Sequence, residues 1–380
     1  MRAKRVFSIL LAAVLALSLL PSAALAEGDG PAGTGWTPLT ASVSGDITST
    51  TSFLAGDEHA NHEGWTELTV SHSGTSLASG NYYLKDDVEL SNSITVGKGE
   101  EVTLCLNGNT LSKSGGMTIK VKGTLTICDC STTEEGTIPD KNAVYMESGT
   151  LNLLGGMLGG NFGGNGIQEA SSSVINIRGG TVKGYSSSAA IKMNGGELHV
   201  SGGIIGDSNT CYSVELSNES KLYLSGDPTF VRKSNGAYTT YAEIYLAGQG
   251  SSNAVENVIH AADGVEAYTG GKLDIALSAL NTGLKDGVTI VQSVSVENYD
   301  KFALLGIPEG KGLNFDDTVC TLVYGDYVEY VPKHTHGVDG GEGDIEWTKW
   351  DGTTELSEDG YYYLEDNACL LYTSDAADDK

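Results

Sequence analysis

The chain is 380 residues long, with 51 glycines, 39% hydrophobic residues and a formal net charge of −27. Its arginines are Arg2, Arg5, Arg178 and Arg232, so no basic stripe exists to grip nucleic acid or an anionic lipid surface. The acidic balance suits a solvated extracellular surface, and the Gly-Gly-x-Gly-x-Asp repeat of calcium-binding solenoids is absent.

Residues 1–26 read as a secretory signal peptide. Arg2, Lys4 and Arg5 form the basic part, and residues 6–20 form the apolar part. Ala24-Leu25-Ala26 supplies the small-residue site, with cleavage expected after Ala26. The apolar run falls short of the roughly 20 residues of a membrane helix, so an uncleaved anchor is the lesser reading. No other long apolar run follows, and no membrane span is expected after cleavage. Residues 27–61, rich in Gly, Ser, Thr and Ala, read as a flexible linker. Residues 62–93 read as an N-terminal cap with the first strand, carrying Trp65, Tyr82, Tyr83, Leu84, Val88 and Leu90. A solenoid needs such a cap, because its open end exposes strand edges and core.

Residues 94–283 carry a repeat. Leu151/Leu153, Ile175/Ile177, Leu198/Val200 and Leu222/Leu224 are apolar pairs whose first members lie 24, 23 and 24 residues apart. Val144/Met146, Ile191/Met193 and Val214/Leu216 precede them, with Ile167 a weaker member, and Leu158, Val182, Ile205 and Phe230 follow. Three short alternating segments per period predict three sheets. Gly155-Gly156, Gly179-Gly180 and Gly202-Gly203 recur where corners need positive φ. Earlier coils follow the same scheme, with Leu104, Leu125 and Leu151 as one series, Asn107-Gly108 as a turn and Leu111 and Ile138 on the third side. The fold expected is all-β: a right-handed parallel β-helix, three-sided, with about 21–30 residues per coil and a cap at each end. Residues 231–241 break the period, and coils in 247–283 are less regular.

Residues 284–331 read as a C-terminal cap with a β-hairpin, its strands 321–324 and 327–331 flanking Gly325-Asp326. Residues 332–346 read as a Gly-rich linker. Residues 347–368 restart the pattern of 65–87: Trp347 answers Trp65, and Tyr362-Tyr363-Leu364 answers Tyr82-Tyr83-Leu84. They are expected to begin a second, truncated module. Residues 369–380 read as translated sequencing adapter and are left out of fold reasoning.

Without Cys369 the cysteines are Cys105, Cys128, Cys130, Cys211 and Cys320, an odd number. Two readings stand for the first three. Cys105 bonds Cys128 or Cys130 across successive coils, since strands about 4.8 Å apart are within disulfide reach. Otherwise they are small buried thiols in a stacked ladder. Cys128-Asp129-Cys130 alone lacks the further ligands of a structural zinc, and His334 with His336 lacks them too. No metal and no cofactor is expected.

The set Tyr82-Tyr83-Leu84, residues 102–108 (Val-Thr-Leu-Cys-Leu-Asn-Gly) and residues 127–130 (Ile-Cys-Asp-Cys), followed by Gly-Gly coils, resembles large exported proteins of gut Firmicutes. The resemblance covers about 65–331 and the restart. It implies a multi-modular β-helix surface protein, adhesin-like, secreted or held at the cell surface.

Three functions compete: a non-catalytic surface module binding glycans or host material, a polysaccharide lyase or glycoside hydrolase of the β-helix class, and a structural spacer. Catalysis needs charges gathered on one outer strip. One strip reads Thr95, Lys120, Tyr145, Gln168, Lys192, Glu215 and Tyr245; the other reads Cys105, Thr126, Asn152, Asn176, His199 and Tyr223. The first holds a single carboxylate and the second none, so no catalytic residue is assigned. Asn152 and Asn176 read as a structural ladder. Glycan binding calls for aromatic groups with polar neighbours. The candidates are His199, Tyr223 and Tyr245 on strands, with Arg232, Tyr238 and Tyr241 at the insertion of 231–241; Tyr185 and Tyr212 read as neighbours in nearby loops.

Overall fold

The computed structural model describes residues 62–160, 163–234, 241–247, 257–278 and 284–330, and the backbone of the short strands Trp347–Lys349 and Tyr361–Tyr363. The signal peptide, both linkers and the tail lie outside the described residues. The fold is the expected all-β parallel β-helix. Strands stack into sheets of 12, 10 and 5 strands, parallel throughout except for Lys311–Asp316 and Thr321–Asp326, which close the 12-stranded sheet in antiparallel fashion. Among the described residues, no helix is long and apolar enough to cross a membrane.

The repeat sets the stacking. Leu151 pairs with Ile175, Ile175 with Leu198, and Leu198 with Leu222 on the first side. Val144, Ile167, Ile191, Val214 and Ile244 align on the second. Ile138, Leu158, Val182, Ile205 and Phe230 align on the third. These columns are buried, apart from half-buried Phe230, and join one core that runs from Leu68 to Tyr324. Each such Leu, Ile or Val contributes about 1.5–3 kcal/mol by leaving water. The second glycine of each Gly-Gly pair has positive φ: +82° at Gly156, +75° at Gly180 and +80° at Gly203. A Cβ on Gly180 would lie 2.6 Å from the Gly156 carbonyl oxygen, and one on Gly203 2.7 Å from that of Gly180. The corners therefore need glycine both for φ and for close stacking.

The structure departs from expectation in four places. Leu104 pairs with Ile127, and Leu125 with Val102, so the early coils sit two residues from the expected register. A slip of two keeps every side chain on its face, and alternation alone does not detect it. The outer strip consequently carries Thr103, not Cys105, beside Thr126. The stretch 62–93 already stacks as coil: Thr66–Glu67, Ser76–Leu77 and Val88–Leu90 all pair in parallel with later strands. The hairpin at the far end joins Lys311–Asp316 to Thr321–Asp326, with Gly325 inside a strand opposite Gly312. Its turn is built by Asp316, whose Oδ1 accepts the Thr318 backbone N–H at 3.0 Å, so Gly325-Asp326 is not the turn. Thr321–Asp326 lies antiparallel to Val288–Gln292 and ends the parallel stack. Finally, Tyr212 belongs to the strand Tyr212–Ser217, not to a loop.

The motif residues of the early coils have local work. Asn107 and Gly108 both have positive φ, as the expected turn requires. Asp129 accepts the Gly108 and Gly136 backbone N–H groups at 2.8 and 2.5 Å. At the restart, Thr348 pairs with Tyr362 and Lys349 with Tyr363, in parallel. Thr66 pairs with Tyr82 and Glu67 with Tyr83 in the same way.

Candidate functional site

The outward column of the 12-stranded sheet runs Thr126, Asn152, Asn176, His199, Tyr223 and His260. Its first half is a hydrogen-bonded ladder. Asn176 Nδ2 donates to Asn152 Oδ1 at 2.9 Å, and Asn152 Nδ2 donates to Thr126 Oγ1 at 3.2 Å. Its second half is a stack of rings. His199 and Tyr223 lie 4.6 Å apart at 10°, and Tyr223 and His260 4.6 Å apart at 7°. The strand spacing of about 4.8 Å enforces this arrangement. Ring faces are spent on one another, so the column offers ring edges and polar atoms to solvent. An open aromatic platform is not what forms.

Charge converges on this stack. The strands Ala262–Asp263 and Glu266–Ala267 form an antiparallel hairpin straight after His260. It carries Asp263 back to His199, with Oδ2 2.8 Å from Nδ1. A carboxylate only accepts, so Nδ1 holds the proton. Glu197 Oε2 lies 3.8 Å from His199 Nε2, and its Oε1 pairs with Lys221 Nζ at 3.1 Å. Val265 stands fully exposed at the hairpin. Burial raises the Tyr223 pKa, with the Glu197 charge adding to it. The hydrogen bond to Glu197 raises that of Lys221. Burial, helped by the Lys221 charge, lowers that of His260. The outer strips read from the sequence contain neither Glu197 nor Asp263, and the second of them stops at Tyr223, short of His260. No local spacing reveals Asp263, which reaches His199 from 64 residues away; His260 is the next rung of the Tyr223 column.

The other described candidates do not join this site. Tyr245 lies on the 10-stranded sheet and stacks on Tyr212 at 4.5 Å and 11°. Arg232 is committed within the fold: Nε pairs with Glu243 Oε1 at 2.8 Å, and Nη2 pairs with Asp274. Tyr241 lies under Lys233 Nζ, 5.7 Å from the ring centroid. Tyr238 lies outside the described residues, as does most of the insertion.

The cysteines form a second constellation. Tyr83, Cys105 and Cys128 stand in register on the face of the 12-stranded sheet that points away from the main core. Trp65, Tyr83, Leu154 and Cys130 pack around Cys105 and Cys128, which are buried. Cys105 and Cys130 Sγ are 3.3 Å apart, beyond the roughly 2.05 Å of a disulfide. All five described cysteines are thiols in this structure. Hydrogen bonding with Cys128, aided by burial, pushes the Cys105 thiol up to about 12, which makes it a poor nucleophile. His62 enters the group from before the first strand, with Nε2 3.6 Å from Cys130 Sγ. The spacing of Cys128 and Cys130 gave no sign of it.

No protein-family model, curated protein or solved structure matches the chain.

Proposed function

We propose that the chain is an exported, non-catalytic, adhesin-like surface module that binds glycans, of host or matrix origin, at the His199–Tyr223–His260 stack. One observation carries the reading: three ring edges and the charged groups of Glu197, Lys221 and Asp263 meet on one rigid sheet face. A sugar is a dense array of hydroxyls, and alternating donors and acceptors on a fixed scaffold complement it. The signal-peptide pattern of 1–26 supports export, and the acidic surface supports an extracellular setting.

The test is a glycan array probed with the chain, its Tyr223→Phe variant and its His199→Ala variant. Tyr223→Phe keeps the stack and removes one hydroxyl, so folding is preserved. The reading expects a defined set of glycan hits that weakens in both variants. No hits, or hits indifferent to both changes, would leave the spacer reading in possession.

A β-helix polysaccharide lyase or hydrolase is the second reading. It is favoured by the imidazole of His199, held by Asp263 on Nδ1 with Glu197 near Nε2, the arrangement of an oriented general base. Depolymerisation of an acidic polysaccharide, lost in His199→Ala, would establish it over the binding reading.

A further inference from the structure

We infer that His62, Cys105 and Cys130 form a binding site for a thiophilic divalent cation of the zinc class. The site would fasten the segment at residue 62 onto the first coils. The three potential ligand atoms all lie within 4.8 Å of one another. Tetrahedral zinc, with bonds of about 2.3 Å to sulfur and about 2.05 Å to nitrogen, places sulfur and nitrogen about 3.6 Å apart and two sulfurs about 3.8 Å apart. The Cys130–His62 separation is 3.6 Å and the Cys105–Cys130 separation is 3.3 Å. Widening the sulfur pair by about 0.5 Å reaches the tetrahedral value, and the remaining Cys105–His62 separation lies within 4.8 Å.

The surroundings are built for an oriented ligand. His62 is only 7% exposed, although it stands just before the first strand, Thr66–Glu67. Its ring stacks on Tyr83 at 4.4 Å and 11° and meets Trp65 edge-on at 5.4 Å. These two rings fix the imidazole plane with Nε2 towards the thiols. Its backbone has φ +46°, a left-handed conformation that a non-glycine residue adopts at a cost. Trp65, Tyr83 and Leu154 pack around the thiols and restrict solvent access to them. Cys128 stands one rung from Cys105 in the same buried cluster but is turned to the Leu104 carbonyl at 3.8 Å, so a ligand from solution would complete the tetrahedron. Soft thiolates with an imidazole select zinc or cobalt over calcium or magnesium.

The experiment is titration of the reduced, metal-free chain with Co²⁺, followed by displacement with Zn²⁺. One equivalent of cobalt should develop the visible bands of a tetrahedral thiolate complex, and zinc should abolish them. Cys105→Ser and His62→Ala should each weaken zinc binding by about 100-fold or more, since even outer-shell changes cost 10–100-fold. Cys211→Ser and Cys320→Ser should leave it unchanged. Zinc should also raise the unfolding temperature of the parent chain and not that of His62→Ala, whose coils remain intact by circular dichroism. Absence of the bands would overturn the inference, as would bands that persist in His62→Ala. So would a mass two daltons low with Cys105 and Cys130 blocked to alkylation, which would mark a disulfide in their place.

Discussion

Replacing Gly180 by alanine probes the stacking directly. Gly180 has φ +75°, and forcing alanine there costs about 1–2 kcal/mol. Its Cβ would also lie 2.6 Å from the Gly156 carbonyl oxygen. That oxygen accepts the Thr181 backbone N–H at 2.9 Å, so moving it away weakens an inter-coil hydrogen bond by about 1 kcal/mol. The total is about 2–3 kcal/mol. Two controls separate the terms. Gly310 has φ +81°, and a methyl group there would meet open space, so Gly310→Ala should show the conformational cost alone. Gly271 has neither feature, and Gly271→Ala should be near neutral. Urea unfolding followed by circular dichroism reads the series, with amide exchange locating the damage. Gly180→Ala should shift the midpoint by about 1 M and speed exchange in the adjoining coils first, because coils contact only neighbours. A Gly180→Ala midpoint no lower than that of Gly310→Ala would refute the argument from close stacking.

Asn176→Ala should cost about 0.5–1.5 kcal/mol by removing the donor to Asn152, read as a lower urea midpoint. Arg232→Met should cost about 2–3 kcal/mol, below the fully buried range because the pairs are partly exposed, by leaving Glu243 and Asp274 uncompensated. Adding Glu243→Gln and Asp274→Asn should recover most of that loss, whereas a ligand-gripping Arg232 would lose binding with its stability intact. His260 has a folded-state pKa below its unfolded value, so the unfolded chain binds more protons there. Its contribution is full above about pH 6.5 and declines as pH falls through that value towards the folded pKa. The parent chain should lose stability over that window, and His260→Asn should flatten the loss.

The sheets were legible because their signal is local: Leu151, Ile175, Leu198 and Leu222 recur at nearly constant spacing, and each Gly-Gly pair marks a corner. The outer columns from Thr126 to Tyr223 and from Thr95 to Tyr245 followed from alternation. Register in the early coils was not legible, because Val102 and Leu104 are equally good partners for Leu125 by face. Gly325 misled because a glycine beside an aspartate marks turns, yet here it lies in a strand facing Gly312. The site was half legible. His199 and Tyr223 lie in the repeat, but Asp263 arrives on an inserted hairpin, and His62 reaches the cysteines from outside the repeat altogether. Contacts made across such distances leave no periodic trace.

Sugar binding at the edge of the His199–Tyr223–His260 stack has a specific geometry. A crystal structure of the chain with an oligosaccharide drawn from the array would locate it. The sugar should lie on that edge, within hydrogen-bond reach of Tyr223 and of Glu197 or Asp263. Sugar seated instead on the Tyr212–Tyr245 face, or beside Arg232, would contradict it.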